Sequence, residues 1–353
     1  MRQSNIDIYF GGPDLAKNQL RDTLLASIQK TPSGATIKWL CYYLNDQAIL
    51  NALINASKRS VNVTLLIDKH PRLPEVNAIS IEQLLKHASP TLKLITLEKK
   101  PIWHHLGIKW HAHFHSKCYY FSAPTPHIFI GSYNPTAGYP ELSIDIIKEI
   151  GDHAISHNVL LKITKHTLVS VLIEHINNMQ LNTFINKVRF LPSQNHAYLS
   201  DEWQIDFLPR LNPHPINKLL KSHHKPANIK CAISHLKGPG IKKTLAKANK
   251  KHKIELLIET SKRRVPQAVL DFLQKHEITT YQPTLPEHCL MHNKFILYDN
   301  GDEKKVMFGS FNWSARSKML NHEIILSTTN QQVYTSFEER WKAITKNKHN
   351  NHG

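Results

Sequence analysis

A chain of 353 residues is long enough for one large domain or two ordinary ones, and a hydrophobic share of 41% supports a sizeable core. Its 45 Lys and Arg against 27 Asp and Glu leave a formal charge of +18, a balance that points to an anionic partner: nucleic acid, an acidic membrane surface or a phosphorylated substrate. No run approaches the roughly 18 apolar residues of a membrane span, the opening seven residues lack the apolar core of a signal peptide, and Cys41, Cys118, Cys231 and Cys289 are too scattered for a disulfide framework or a cysteine zinc site, so a reducing cytoplasm is the expected setting.

Along the chain, 36–44 reads as a strand, 46–58 as a helix, 61–68 as a buried strand and 92–97 as a further short strand. The alternation resumes with a strand at 228–234, a helix at 241–250, a strand at 254–259 and a short strand at 278–281. Short apolar runs alternating with helical patterns predict α/β sheets covered on both faces. The expected organisation is a first repeat over 1–180, a connector over 181–202 and a second repeat over 203–353. Corresponding elements are offset by about 191 residues early and 177 later, so the first half carries about 14 extra residues, assigned to the loop 99–110.

The later offset is that of a short motif present twice. The first copy is His115-Ser116-Lys117 followed by Gly131-Ser132-Tyr133-Asn134. The second is His292-Asn293-Lys294, then Asp299, then Gly309-Ser310-Phe311-Asn312. An acid follows each, Asp145 and Glu323. On a strand, residues i and i+2 share a face, so each copy is expected to gather an imidazole, an ammonium and two hydrogen-bonding side chains, Ser132 with Asn134 and Ser310 with Asn312. Such a set suits a phosphodiester: lysines and asparagines hold its oxygens and stabilise the added charge of five-coordinate phosphorus, a neutral imidazole attacks, and a protonated one supplies the leaving oxygen's proton. Two copies in register predict two half-sites on a pseudo-two-fold axis.

His-x-Lys-x4-Asp followed by Gly-Ser-x-Asn resembles the signature of the phospholipase D superfamily. Ile8-Tyr9-Phe10, the run 56–68 and the pair Phe337 and Trp341 on a last helix are similar to it as well, so the resemblance runs nearly end to end. The first copy departs from it, because Ser122 stands where the family has Asp. The resemblance implies two α/β/α sandwich repeats packed as a pseudo-two-fold pair with one shared active site within one chain, so that no dimer is required. It implies a metal-independent phosphodiesterase in which His115 forms a phosphohistidine and His292 acts as acid, Asp145 and Glu323 each orient a histidine, water resolves the intermediate, and no cofactor takes part. Asp299 lies on the opposite strand parity from Lys294 and immediately precedes Asn300-Gly301, a turn signal. It is expected to support the turn more than the chemistry, with residues 122–126 replacing that turn in the first half.

Charge and aromatics bear on the substrate. Residues 215–264 hold fourteen Lys and Arg against Glu255 and Glu259, and Lys242, Lys243, Lys262, Arg263 and Arg264 are assigned to a phosphate-tracking surface, with His113 as a further substrate contact. His111, His113 and His115 could share a strand face at zinc-binding spacing, but His115 is assigned to catalysis and no carboxylate or cysteine stands near in sequence, so no metal site is expected. Trp103 and Trp110 serve either as stacking platforms for bases or as packing residues, and Tyr133, between Ser132 and Asn134, is expected to face the core. The leading expectation is a nuclease acting on DNA or RNA. The alternative is a phospholipase D or phosphatidyltransferase at an anionic phospholipid surface, docked through an apolar rim at 101–108; a third reading is a binding module that does not cleave.

Overall fold

The structure, a computed structural model, describes residues 5–98, 112–136, 142–181, 198–210, 214–221, 225–346 and 348–349. The loop at 99–110, with Trp103, Trp110 and the proposed apolar rim, lies outside the described residues, as do His111 and most of the connector. The chain divides into two compact units, Met1–Lys187 with Glu287–Cys289, and Val188–Pro286 with Leu290–Gly353.

The first unit is built on strands β1 (Ile6–Phe10), β2 (Thr36–Cys41), β3 (Asn62–Asp68), β4 (Leu92–Leu97), β5 (Cys118–Phe121), β6 (His127–Gly131) and β7 (Val159–Ile163), with helices α1 (Gln19–Lys30), α2 (Gln47–Lys58), α3 (Glu75–Lys86), α4 (Ile144–Ile150) and α5 (His166–Leu181). The sheet runs β1-β7-β6-β5-β2-β3-β4. Parallel pairing joins β2 to β3 and β3 to β4, and the remaining pairs are antiparallel. Asp46 starts α2 by accepting the Ile49 N–H at 3.1 Å, satisfying one of the donors a helix start leaves open. Ile37, Trp39 and Cys41 on one face of β2 enter a core with Leu24, Ile28, Leu50 and Leu53 of α1 and α2. Lys38, on the other face, reaches Asn177 of α5 at 2.8 Å. The alternation therefore produces a sheet with helices on both sides, as the apolar runs predict.

The second unit repeats this plan with β8 (Tyr198–Leu199), β9 (Trp203–Leu208), β10 (Asn228–Ile233), β11 (Lys253–Ile258), β12 (Thr279–Pro283), β13 (Lys294–Asp299), β14 (Lys304–Gly309), β15 (Glu323–Thr328) and β16 (Lys348–His349). Its helices are α6 (Pro215–Leu220), α7 (Pro239–Asn249), α8 (Gln267–Lys275), α9 (Ala315–Met319) and α10 (Gln331–Lys346). The order β16-β12-β11-β10-β13-β14-β15-β9-β8 contains the same seven-strand sequence as the first sheet, read from β4 to β1, with one short strand added at each edge. Phe337 and Trp341 of α10 pack on β13 and β14, Phe337 lying 5.1 Å from Phe295 and 5.1 Å from Phe308 between ring centroids. The two halves are thus α/β repeats of one topology.

Candidate active site in two half-sites

In each unit the motif gathers at one edge of the sheet: the carboxyl ends of the two central parallel strands, the start of the strand beside them and the end of the next. The ladder of β5 begins at Cys118, opposite Leu40, and that of β13 at Lys294, opposite Ile233. His115, Lys117 and His292 therefore precede the strands, while Ser132, Asn134, Ser310 and Asn312 follow β6 and β14. The expectation that the motif lies within strands is corrected to strand ends, and the glycines supply the reason. A Cβ on Gly131 would stand 2.0 Å from the Val159 carbonyl oxygen, and one on Gly309 2.1 Å from that of Ile324. The chain is pressed against its neighbour there, and the serine that follows turns out of the ladder. Ser132 Oγ accepts the Val159 N–H at 3.1 Å, and Ser310 Oγ accepts that of Ile324 at 3.1 Å.

The first half-site is lined by an aromatic ring. His115 and Lys117 are buried, and Lys117 Nζ donates to the His115 carbonyl at 2.6 Å. Tyr42, just past β2, meets His115 edge to face at 4.8 Å and His113 at 5.4 Å, with Lys117 Nζ 5.2 Å from its ring centre. Burial, reinforced by Tyr43 beside it, pushes the Tyr42 phenol well above its usual range, so it stays neutral, its oxygen accepting the Arg72 N–H at 2.7 Å. Burial likewise pushes Cys41 up to about 12 despite the opposing charge of Lys117, which removes a thiolate nucleophile from the site. The Asn134 N–H donates to His153 Nδ1 at 3.2 Å, which fixes that nitrogen as an acceptor. Tyr133 is buried in the core, as its parity predicts.

The second half-site repeats the frame with different walls. Lys294 Nζ donates to the His292 carbonyl at 2.9 Å. Ser234 stands at the position of Tyr42, and the buried Arg264 donates to its Oγ at 3.2 Å. Phe311 packs 4.6 Å from the ring of His214. Burial, then the charges of Lys318 and Arg210, hold His214 down to about 3, so it serves as a neutral packing group. The Oδ1 atoms of Asn134 and Asn312 are buried without a hydrogen-bond partner among the described residues, a condition native proteins tolerate where a ligand completes the bonding.

Four sequence assignments change or sharpen. Asp145 is exposed in the first turn of α4 and is not the counterpart of Glu323. Register decides this: Gly131 pairs with Leu160 and Gly309 with Ile325, so the residue matching Glu323 is Asn158. The first half-site has an amide there, bonded to Ser132 Oγ at 3.1 Å. The second has a fully buried carboxylate that accepts from Asn321 Nδ2 at 3.3 Å. Asp299 lies at the far end of β13, roughly 20 Å from His292 at strand rise, where it accepts the Gly301 N–H at 2.9 Å and meets Lys304 at 3.5 Å. Ser122 holds the matching position and accepts the Thr36 N–H at 2.8 Å. The Asp299→Ser variant should therefore keep its turnover number within about two-fold while losing roughly 1 kcal/mol of stability; steady-state kinetics beside urea unfolding checks both.

Two carboxylates escaped the sequence reading. Asp68 Oδ2 accepts the Phe114 N–H at 2.6 Å and lies 3.7 Å from His113 Nδ1. Glu259 Oε2 accepts the Met291 N–H at 2.7 Å. Their signal was present, because Leu65-Leu66-Ile67-Asp68 and Leu256-Leu257-Ile258-Glu259 are near-identical strand ends.

Around these edges the charges differ. In the first unit Lys69 and His70 both bond Glu98, at 2.7 and 3.0 Å, and Arg72 pairs with Glu149. The bonds from Lys69 and His70 hold Glu98 down to about 2. In the second unit Lys242 and Lys243 open α7, Lys262 and Arg263 lie between β11 and α8, and Lys318 is on α9, all in segments that leave the motif edge. Lys242, Lys243, Lys262 and Lys318 have no carboxylate partner among the described residues, and Lys242 Nζ rests 4.7 Å from the Phe272 ring centre. Arg264 is buried rather than part of that open rim. Among the described residues no three His, Cys, Asp or Glu side chains converge as metal ligands, and no helix is long and apolar enough to cross a membrane.

Paired imidazole, lysine, serine and asparagine sets on duplicated α/β repeats define a phosphodiester-processing enzyme class. A family model described as cardiolipin synthase, PLD-like domain, matches residues 24–166 and again 216–345, and the chain belongs to the phospholipase D superfamily of phosphodiester-cleaving or -transferring enzymes. No curated protein matches it in sequence. Its fold is similar to phosphatidylserine synthase from Haemophilus influenzae, with a TM-score of 0.68 and 13% identity over 97% of this chain and 86% of the other. It is similar to polyphosphate kinase from Porphyromonas gingivalis, with a TM-score of 0.58 and 11% identity over 96% of this chain, which spans only 50% of that one. Yeast tyrosyl-DNA phosphodiesterase follows at 0.50 and 13%, over 92% and 89%.

Proposed function

We infer that this chain is a metal-independent nuclease, cleaving DNA or RNA through a phosphohistidine. The observation that carries the choice of substrate is the cationic rim of the second repeat: among the described residues, Lys242, Lys243, Lys262 and Lys318 lack carboxylate partners near the edge that bears His292 and Lys294, while Lys69 and Arg72 of the first rim are ion-paired. A chain of phosphates lying along that rim releases counterions from many contacts at once, and the N-terminus of α7 adds a helix dipole of the right sign.

In the proposed reaction a neutral His115 nitrogen attacks phosphorus, and the bond to the leaving nucleoside oxygen breaks as His292 donates its proton to that oxygen. Water then gives a proton to His292, its oxygen displaces the imidazole, and the enzyme returns to its starting state. Lys117, Lys294, Asn134 and Asn312 hold the phosphoryl oxygens. The exchange of Asn158 for a carboxylate supports this order of roles. A buried carboxylate favours a protonated imidazole beside it, and at this register position only the second half-site carries one.

One observation favours the other reading: the family model that matches is described as cardiolipin synthase, and phosphatidylserine synthase shares the fold. A phosphatidyl transfer would use the same two histidines. Against it, among the described residues the exposed large apolar side chains Leu15, Ile79, Leu85, Ile144 and Met319 are spread over separate segments. The test is cleavage of single- and double-stranded DNA and RNA in excess EDTA, beside retention on anionic vesicles at physiological salt. Cleavage with no vesicle retention is expected; an intact polymer with phosphatidyl turnover on vesicles moves the function to lipid. The triple variant K242Q/K243Q/K262Q should bind nucleic acid more weakly, with its log-log salt slope reduced by about 2–3.

A further inference from the structure

We propose that Asp68 and Glu259 are paired positioning residues that aim His115 and His292 and set their protonation, a role that rests on the phosphohistidine reading above. Both histidines precede the ladders of β5 and β13, with Phe114 and Met291 ahead of them each in a single β-bridge. A buried carboxylate at the end of the neighbouring parallel strand adds a side-chain grip on the same backbone. Asp68 accepts the N–H of Phe114, and Glu259 that of Met291, the residues immediately ahead of each histidine. On the following side the motif lysine holds the histidine's own carbonyl, at 2.6 Å in one repeat and 2.9 Å in the other. Each imidazole is thus carried on a backbone gripped by an anion before it and a cation after it.

The repetition argues against a chance contact. An aspartate in one repeat and a glutamate in the other, one methylene apart, make the same bond at 2.6 and 2.7 Å, and both are 2% exposed. Their remaining oxygens are also turned to backbone donors, Asp68 Oδ1 to the His70 N–H and Glu259 Oε1 to those of Thr260 and Ser261. An amide in place of either carboxylate would turn a donor toward a donor. The anion also offsets the motif lysine. Among the described residues, Tyr42, His113 and Lys117 face the first histidine's segment, with the neutral Asn158 at the same edge; Lys294, Arg264 and Glu323 lie at the second motif edge.

The experiment follows the imidazole titrations of His115 and His292 by nuclear magnetic resonance in the full chain without substrate, alongside kcat, KM and pH–rate profiles on nucleic acid. In Asp68→Asn the His115 titration should move down by at least about half a pH unit with His292 unmoved, and Glu259→Gln should do the reverse. Turnover should fall about 10- to 100-fold with KM little changed, each variant shifting the pH–rate limb of its own histidine. Unmoved titrations in folded variants would overturn the proposal even with activity reduced, since a purely structural role predicts that result. The exchanges Asp68→Glu and Glu259→Asp keep the charge and alter the reach, so both titrations should stay within about 0.2 units while turnover drops; full turnover in these variants would also overturn it. Because the titrations need no substrate, a chain inactive on nucleic acid leaves them decisive.

Discussion

The His115→Ala variant should lose nucleic-acid cleavage by about six orders of magnitude, the loss typical of removing a nucleophile from a coupled catalytic set, with no intermediate trapped. The His292→Ala variant should lose about 10²- to 10⁴-fold on a natural diester, because it lacks the proton for the leaving oxygen. On a diester with a nitrophenolate leaving group, which departs without protonation, its first step should survive. Water then lacks its base, and the phosphoryl group should accumulate on His115 as an acid-labile, base-stable adduct visible by mass spectrometry. An adduct on His292 in the His115→Ala protein would exchange the two roles, and the inference from Asn158 and Glu323 would fall with it. Under the proposed mechanism the double variant should be no slower than His115→Ala alone. Both residues are buried but neither carries a strand ladder, so the folded state should tolerate each change.

Much of this was legible without coordinates. Short apolar runs placed the central strands to within a few residues, because Leu65, Ile67, Leu256 and Ile258 lie in runs of strand length that fit a doubly covered strand. The repeated motif was legible because its parts are contiguous and its spacing is kept. The error came where spacing is not kept. From Gly309 to Glu323 is 14 residues, but from Gly131 to Asn158 is 27, with α4 in between. Asp145, at the repeated offset, reads as the partner in sequence, and an amide at a different offset carries no signal of its own. Asp68 and Glu259 were in plain view as strand ends, but their bonds run to residues 46 and 32 positions away, and sequence spacing carries no such register. The strand-end placement of the motif rests on the same limit, since it depends on which backbone presses against the two glycines.

Those glycines carry the second large effect. Gly131→Ala and Gly309→Ala should each destabilise their repeat by about 3 kcal/mol or more. The added methyl would stand 2.0 Å from the Val159 carbonyl oxygen in one case and 2.1 Å from the Ile324 oxygen in the other, and both obstacles are backbone of a central strand that cannot swing aside. Relief requires β6 and β7, or β14 and β15, to part by about an ångström. That motion breaks the bond from the Ser132 N–H to Val159, 3.0 Å, or from Ser310 to Ile324, 3.1 Å, and with it the serine hydroxyl bond that starts the turn toward Asn134 or Asn312. Activity should therefore fall further than the folded fraction, because the surviving molecules hold a displaced asparagine. Gly240→Ala is the control: nothing lies within 4 Å of its added Cβ, and alanine inside α7 favours the helix by up to about 1 kcal/mol. Thermal and urea unfolding of the three variants decides the matter. A Gly309→Ala protein as stable as Gly240→Ala would mean that the close approach is not what shapes the motif, and the turn out of the ladder would need another cause.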